Sequence, residues 1–121
     1  NTSLTDITSA TITFTPRHST VYLSFVISGY NPLCGSDQSW FSVGVNNGGI
    51  NVANFLSMTA TTDDITGSVG AATITAAKFP LSVTPGVAVT IKLRGRDGGT
   101  NHVCGFTIDR TNYTSYMTIE D

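Results

Sequence analysis

The sequence predicts an all-β fold: an antiparallel double-sheet jelly-roll sandwich of about eight strands. Thr and Ser supply 20 and 12 of the 121 residues, whereas charged residues make up 12% of the chain. Thr favours strands and Ser favours turns. Short stretches of alternating apolar and polar residues are separated by Gly, Pro and Asn, and no stretch has sustained helical periodicity. The length fits one domain, and eight short strands suit a jelly roll, with an immunoglobulin-like sandwich as the main alternative.

The first predicted strand, residues 11–15, is short and ends at Pro16. The second, residues 19–29, turns Val21, Leu23, Phe25 and Ile27 to one face, which is the pattern of a half-buried strand. The other six predicted strands are residues 39–46, 50–60, 71–83, 87–96, 102–108 and 113–120. Residues 1–10 are polar and predict an approach segment from an upstream stalk, which leaves 11–121 as the head domain.

Strand parity predicts which loops share an end of the sandwich. If eight strands alternate in direction, both ends of the chain are neighbours, and the turns at 16–18, 46–49, 84–86 and 109–112 lie together at the far end. Cys34 and Cys104 then both fall at the end that holds the chain termini. They form either a disulfide, which requires Cα atoms within about 7 Å, or two buried thiols.

Several large side chains fall on the strand parity away from the predicted core. They are Tyr22, Val26, Tyr30, Trp40 and Tyr116. Scattered surface aromatics are ordinary, and a platform that stacks on a ligand is another possibility. A patch on one sheet, buried against a second copy of the chain, is the interpretation we favour, because aromatics are enriched in interface cores and this chain carries little charge.

Four stretches resemble the trimeric jelly-roll heads of the tumour necrosis factor and complement-type superfamily, in particular those at the tips of phage tail fibres and related bacterial fibrous proteins. They are VYLSFVISGY, FSVGVNNGG, FPLSVTPGVAVTIKLRGR and YTSYMTIED, and the resemblance spans residues 11–120. It implies a homotrimer packed through the aromatic residues around a threefold axis. It also implies a stalk that joins at the N-terminal end and a far end that is free to contact a receptor.

The sequence carries no pattern typical of an enzyme or of a cofactor site. His18 and His102 stand outside any nucleophile motif, and we predict that the domain is not an enzyme and holds no cofactor. Asp63 and Asp64 are an adjacent acidic pair, either a weak calcium loop without the regular ligand spacing or a solvated turn. A net charge of −2 and scattered cations argue against nucleic acid, and no apolar run is long enough to insert in a membrane.

The expected function is therefore recognition of a host cell-surface glycan or outer-membrane protein by a trimeric fibre tip, on a virion surface or outside the cell. The receptor contact is expected at the far turns. The residues predicted there are Arg17, His18, Asn46, Asn47, Asp109, Arg110 and Asn112. The alternative is a monomeric carbohydrate-binding module in which Trp40 and the tyrosines stack on sugar rings.

Overall fold

A computed structural model describes residues 4–32, 39–59, 69–99, 107–108 and 115–121, with side chains described for 4–28, 42–55, 73–96 and 115–121. The described chain is all-β and forms two antiparallel sheets, which confirms the predicted fold class at that level. The eight strands are β1 (Thr5–Phe14), β2 (Thr20–Pro32), β3 (Ser39–Asn47), β4 (Ile50–Thr59), β5 (Val69–Ser82), β6 (Val89–Gly99), β7 (Thr107–Ile108) and β8 (Tyr116–Glu120).

Sheet I has the strand order β1-β6-β3-β4, and sheet II is built around β2. One edge of β2 pairs with β5 along twelve residue pairs, from Thr20 opposite Ser82 to Pro32 opposite Val69. The other edge pairs with β7 and β8. Pairing of β2 with β5 and of β3 with β6 joins strands three apart in the sequence, which is the non-local arrangement of Greek-key connections.

The core lies between the sheets and follows the alternation in the sequence. On β2, the residues Val21, Leu23, Phe25 and Ile27 are at most 2% exposed, as predicted. Sheet I contributes four residues that are fully buried: Val43, Val45, Ile91 and Leu93. Burying one such side chain stabilises the fold by about 1.5–3 kcal/mol, so these two facing rows hold the sheets together.

Strand β1 begins at Thr5, six residues before the predicted start at Thr11. Thr5 and Asp6 pair with β6, and the ladder resumes at Thr11 opposite Lys92 after a shift in register. Residues 7–10 therefore have no partner in β6 within the described register. Ser9 in this bulge has a φ of 66°, a left-handed conformation that costs a non-glycine residue about 1–2 kcal/mol. Residues 5–10 belong to the sheet, which corrects the strand boundary.

Three predicted turns do share one end of the sandwich. The amide of Gly86 donates to the carbonyl oxygen of Pro16 at 2.9 Å, and the Asn47 side chain donates to the carbonyl oxygen of Ser82 at 2.9 Å. These contacts join the turns at 16–18, 46–49 and 84–86, and we call this the turn end.

The prediction that both ends of the chain are neighbours is wrong. Strands β7 and β8 both run antiparallel to β2 and pair with successive parts of it, β7 at Gly29 and Tyr30 and β8 from Tyr22 to Val26. They therefore run in the same direction and together cross the sandwich once, so the eight described strands make seven passes. As a result Asp121 lies at the turn end, whereas Thr5 lies opposite Gly95, away from that end.

Candidate functional site

The outer face of sheet II carries exposed aromatic side chains. Tyr22 is 43% exposed and Tyr116 is 55% exposed. Tyr116 lies directly opposite Val26, and directly opposite residues of neighbouring strands share a face. Tyr22, Val26 and Tyr116 therefore form one surface, which we call the aromatic face. Because Tyr22 and Val26 are four residues apart, the two tyrosines stand about 13 Å apart at roughly 3.3 Å per residue.

The two other predicted interface residues have different positions. Tyr30 continues β2 beyond Val26, opposite Ala71 and Thr107, and its side chain lies outside the described residues. Trp40 lies in β3, opposite Met58 and Gly98, and β3 belongs to sheet I. The expectation that one sheet carries all four aromatics is therefore wrong for Trp40, because parity within a strand does not fix which sheet the strand joins.

The edge of sheet II beside the aromatic face is irregular. The pairing of β2 with β5 shifts in register between Leu23 and Phe25, and Lys78 on the β5 side has a φ of 51°. The Lys78 amide donates to the Ser24 hydroxyl at 3.0 Å. A bulge, a lysine and the following Pro80 all discourage pairing of this edge with another strand.

At the turn end, Asp121 holds the β1–β2 turn. Its carboxylate accepts the amide of Arg17 at 2.8 Å and the amide of His18 at 3.2 Å, and its Oδ1 lies 3.1 Å from Nδ1 of His18. These contacts, the Arg17 amide first, lower the pKa of the Asp121 carboxyl below its ordinary value. The side chains of Arg17 and His18 are 86% and 70% exposed, so both are open to a partner.

Asn46 has a structural role, which corrects its predicted place in the receptor contact. It is 6% exposed, its side-chain amide donates to Oδ1 of Asn51 at 3.1 Å, and its own Oδ1 accepts the Gly49 amide at 3.0 Å. These bonds close the β3–β4 turn, in which Gly48 and Gly49 have φ of 58° and 97°. Asn47 is half-buried and bonded to the Ser82 carbonyl, so its side chain also holds the turn end together.

The outer face of sheet I holds a charged cluster that the sequence analysis did not predict. Asp6 lies 2.9 Å from Nζ of Lys92 and 3.0 Å from Nε of Arg94, and Arg94 also donates to the Leu4 carbonyl at 2.8 Å. These contacts, above all the hydrogen bond from Lys92, lower the pKa of Asp6. The Leu4 side chain covers Gly44, where an added Cβ would come within 3.2 Å of its Cδ1. The start of β1 is thus held on sheet I by both ion pairs and side-chain packing.

Other predicted site residues lie outside the described residues: Asp109, Arg110, Asn112, Asp63, Asp64, Cys34, Cys104 and His102. Within the described ranges, no group of three or more His, Cys, Asp or Glu side chains could hold a metal ion. The same part of the chain contains no helix long and apolar enough to cross a membrane.

Comparisons with protein-family models, with curated proteins and with solved structures found no match.

Sequence reasoning missed Asp121 because it looked for receptor contacts in the turns and not beyond the last strand. It missed the bulge at residues 7–10 because a Thr- and Ser-rich run carries no apolar alternation. A signal was present in the run TDITSATITF, where Ile7 and Ile12 fall on opposite parities of one continuous strand. Such a break in parity indicates extra residues in a strand.

Proposed function

We propose that the domain is the non-enzymatic head of a trimeric fibre, a viral or phage tail fibre or a similar adhesin, which recognises a receptor on a host cell. The observation that carries this proposal is the aromatic face, with Tyr22 and Tyr116 at 43% and 55% exposure. Tyrosine is enriched in protein interfaces because it supplies a large apolar area together with a polar end. A chain with 12% charged residues has few other means of keeping such a face from non-specific contact.

The finer architecture belongs to the same proposal. We take the head to be a jelly roll that packs as a homotrimer through the aromatic face. Eight strands in two antiparallel sheets and the Greek-key pairs β2–β5 and β3–β6 support a Greek-key sandwich, the class of fold that includes both jelly rolls and immunoglobulin-like domains. The irregular β5 edge also favours packing by the face over extension of the sheet.

The turn end is the proposed receptor contact, for a cell-surface glycan or an outer-membrane protein. Arg17 and His18 present exposed cationic and aromatic hydrogen-bonding groups, and Asp121 fixes the backbone that carries them. A held backbone reduces the entropy lost on binding. We therefore also propose that the domain lies at the surface of a virion or outside a cell.

The trimer is tested by light scattering coupled to size exclusion. The expected mass is three times 12.7 kDa, and Tyr22→Glu is expected to give the single-chain mass because a buried unpaired carboxylate is costly. Thr11→Glu is the matched control: it adds the same charge at an exposed position on sheet I and should leave the trimer intact. A monomeric wild-type chain across micromolar concentrations would refute the trimer.

The receptor contact is tested separately, by binding of the purified domain to host cells. Arg17→Ala and His18→Ala are expected to weaken binding while leaving the mass unchanged, since both side chains are largely exposed. Undiminished binding by the double variant would remove the turn end from the proposal.

A monomeric carbohydrate-binding module is the second candidate, and the observation that favours it is the 55% exposure of Tyr116, whose cross-strand partner Val26 is uncharged. Sugar rings stack on such exposed aromatic side chains. A single-chain mass together with glycan-array binding that is lost on Tyr116→Ala or Trp40→Ala would favour the module over the trimer.

A further inference from the structure

A cleft of about 130 Å³ opens where the free edges of the two sheets meet. The bulge at residues 7–10 of β1 forms one wall, residues 115–117 form the other, and Ile27 lies at its base. Strand β1 is the edge of sheet I and β8 is an edge of sheet II. The extra residues of the bulge have no β6 partners in the described register, and they project from sheet I towards β8.

The lining combines an apolar base with a hydroxyl rim. Ile27 is 2% exposed and Ile7 and Met117 pack on the core. Thr8 and Ser9 are exposed on the bulge, and Tyr116 stands opposite them with 55% of its surface exposed. Among the described residues that line the cleft, none is charged.

Both walls are fixed by the fold. The Ser115 hydroxyl accepts the amide of Ser28 at 3.0 Å and donates to the Ser28 carbonyl at 3.3 Å, which ties the start of β8 to β2. On the other side the bulge is held between paired segments, Asp6 opposite Arg94 and Thr11 opposite Lys92. Bulges are common beside binding sites because they redirect side chains, and here the bulge directs Thr8 and Ser9 to the rim.

We propose that this cleft binds one neutral sugar ring, a pyranose at the end of a glycan. The volume is well below the roughly 300–1,000 Å³ of pockets for drug-sized ligands, so one ring is the size that fits. The absence of charge among the described lining residues favours a neutral ligand. A pyranose has an apolar face that can stack on the Tyr116 ring and hydroxyls that can form hydrogen bonds with Thr8 and Ser9. An aliphatic ligand would form no hydrogen bond with the side chains of Thr8 and Ser9.

The cleft is separate from the turn end, so its failure would leave the proposed receptor contact standing. It shares Tyr116 with the aromatic face, so a trimer that covers Tyr116 and a sugar would compete for the same ring, whereas Thr8 and Ser9 lie on the other sheet. Variants on the bulge therefore report on the sugar site without changing the aromatic face.

The experiment is titration of the isotopically labelled domain carrying Tyr22→Glu, the variant expected to be a single chain with Tyr116 uncovered, with methyl glucoside, methyl galactoside and N-acetylglucosamine, monitored by amide chemical shifts. We expect saturable shifts at millimolar sugar, concentrated at residues 7–10 and 115–117. Sorbitol, which has the hydroxyls but no ring, is the matched probe and should give at most a tenth of the affinity. Equal binding of sorbitol, or no saturable shift in either wall with any of the three sugars, would overturn the proposal.

Two variants and one control test the contacts. Tyr116→Ala should weaken binding about tenfold or more, the scale of one lost stacking contact. Thr8→Val keeps the shape of the side chain but removes the Thr8 hydroxyl, and it is expected to weaken sugar binding severalfold. This variant tests the proposal if the Tyr116→Ala protein does not fold. Thr11→Val removes an exposed hydroxyl of β1 outside the cleft and should leave the sugar affinity unchanged. Loss of binding in the control but not in the two variants would overturn the assignment.

Discussion

The ring nitrogen Nδ1 of His18 lies 3.1 Å from Oδ1 of Asp121, a residue 103 positions later in the sequence. The same carboxylate accepts the backbone amides of Arg17 and His18. The end of β8 is thereby tied to the turn that starts β2, the strand with which β8 pairs. The Asp121 carboxylate thus links the end of β8 to the start of β2 at the turn end.

This contact predicts a pH dependence of stability. The pKa of Asp121 is lowered in the folded protein, first by the Arg17 amide and then by the His18 contacts, so the ionised carboxylate stabilises the fold. That contribution is complete well above the ordinary carboxyl pKa of 3.8 and is lost as the pH falls below that value through the lower pKa of the folded protein. Asp121→Asn should lower the unfolding midpoint at neutral pH and make the acid-side loss shallower, as measured by thermal unfolding from neutral pH to below that value.

Asp6→Asn is the matched comparison, because Asp6 also has a lowered pKa but lies on sheet I. It should flatten the acid limb independently of Asp121, with additive effects in the double variant, since distant sites add. An unchanged acid limb in Asp121→Asn would show that the turn-end contacts do not contribute to stability.

A second prediction concerns the ring cluster that joins the sheets. The Phe25 and Phe55 rings are 5.3 Å apart and nearly perpendicular, and Phe55 and Phe79 are 5.6 Å apart in the same arrangement. Phe55 is on β4 of sheet I, whereas Phe25 and Phe79 are on sheet II. Phe25→Ala should lower the free energy of unfolding by about 3–5 kcal/mol, measured by urea denaturation.

Thr75→Ala is the control for that substitution, because Thr75 is exposed on the neighbouring strand and surface changes usually stay within about 0.5 kcal/mol. A loss below about 1 kcal/mol in Phe25→Ala would mean that the cluster is not the centre of the core.

A third prediction concerns the Leu4 side chain, which covers Gly44 on the outer face of sheet I. A Cβ on Gly44 would come within 3.2 Å of Leu4 and 3.0 Å of Oδ1 of Asn54. Gly44→Ala should therefore destabilise the fold by about 1 kcal/mol, the lower end of the cost of overpacking. In a Leu4→Ala background the penalty should fall but not vanish, because the Leu4 methyl groups are gone whereas Oδ1 of Asn54 remains. The double-mutant cycle measures this coupling directly, and a coupling energy of zero would show that Leu4 does not cover Gly44.

The core of sheet II could be predicted from the sequence because strict alternation in β2 fixes which side chains face inward. Val21 to Ile27 alternate without a break, and the Gly- and Asn-containing turns at 46–49 and 84–86 mark chain reversals by local chemistry alone. These are local signals, and the structure agrees with each of them.

The predictions that failed depended on which strands pair with each other, and this information is non-local. Assigning Trp40 to the tyrosine-bearing sheet required knowledge of the partners of β3, which its own sequence does not contain. Counting β7 and β8 as two passes failed because both pair with β2, and only that shared partner shows that they run in tandem. The cleft depends on the bulge of β1 meeting the start of β8, two segments about a hundred residues apart.

The tandem arrangement of β7 and β8 has a mechanical consequence. Because Thr5 and Asp121 lie towards opposite ends of the sandwich, a pulling force applied between them acts along the strands. It would slide β1 against β6 and β8 against β2, which loads the cross-strand hydrogen bonds of each pair together instead of opening them one after another. The Asp121 hydrogen bonds with the β1–β2 turn must also break before β8 can slide. A chain with this topology is suited to carry tension along its strands.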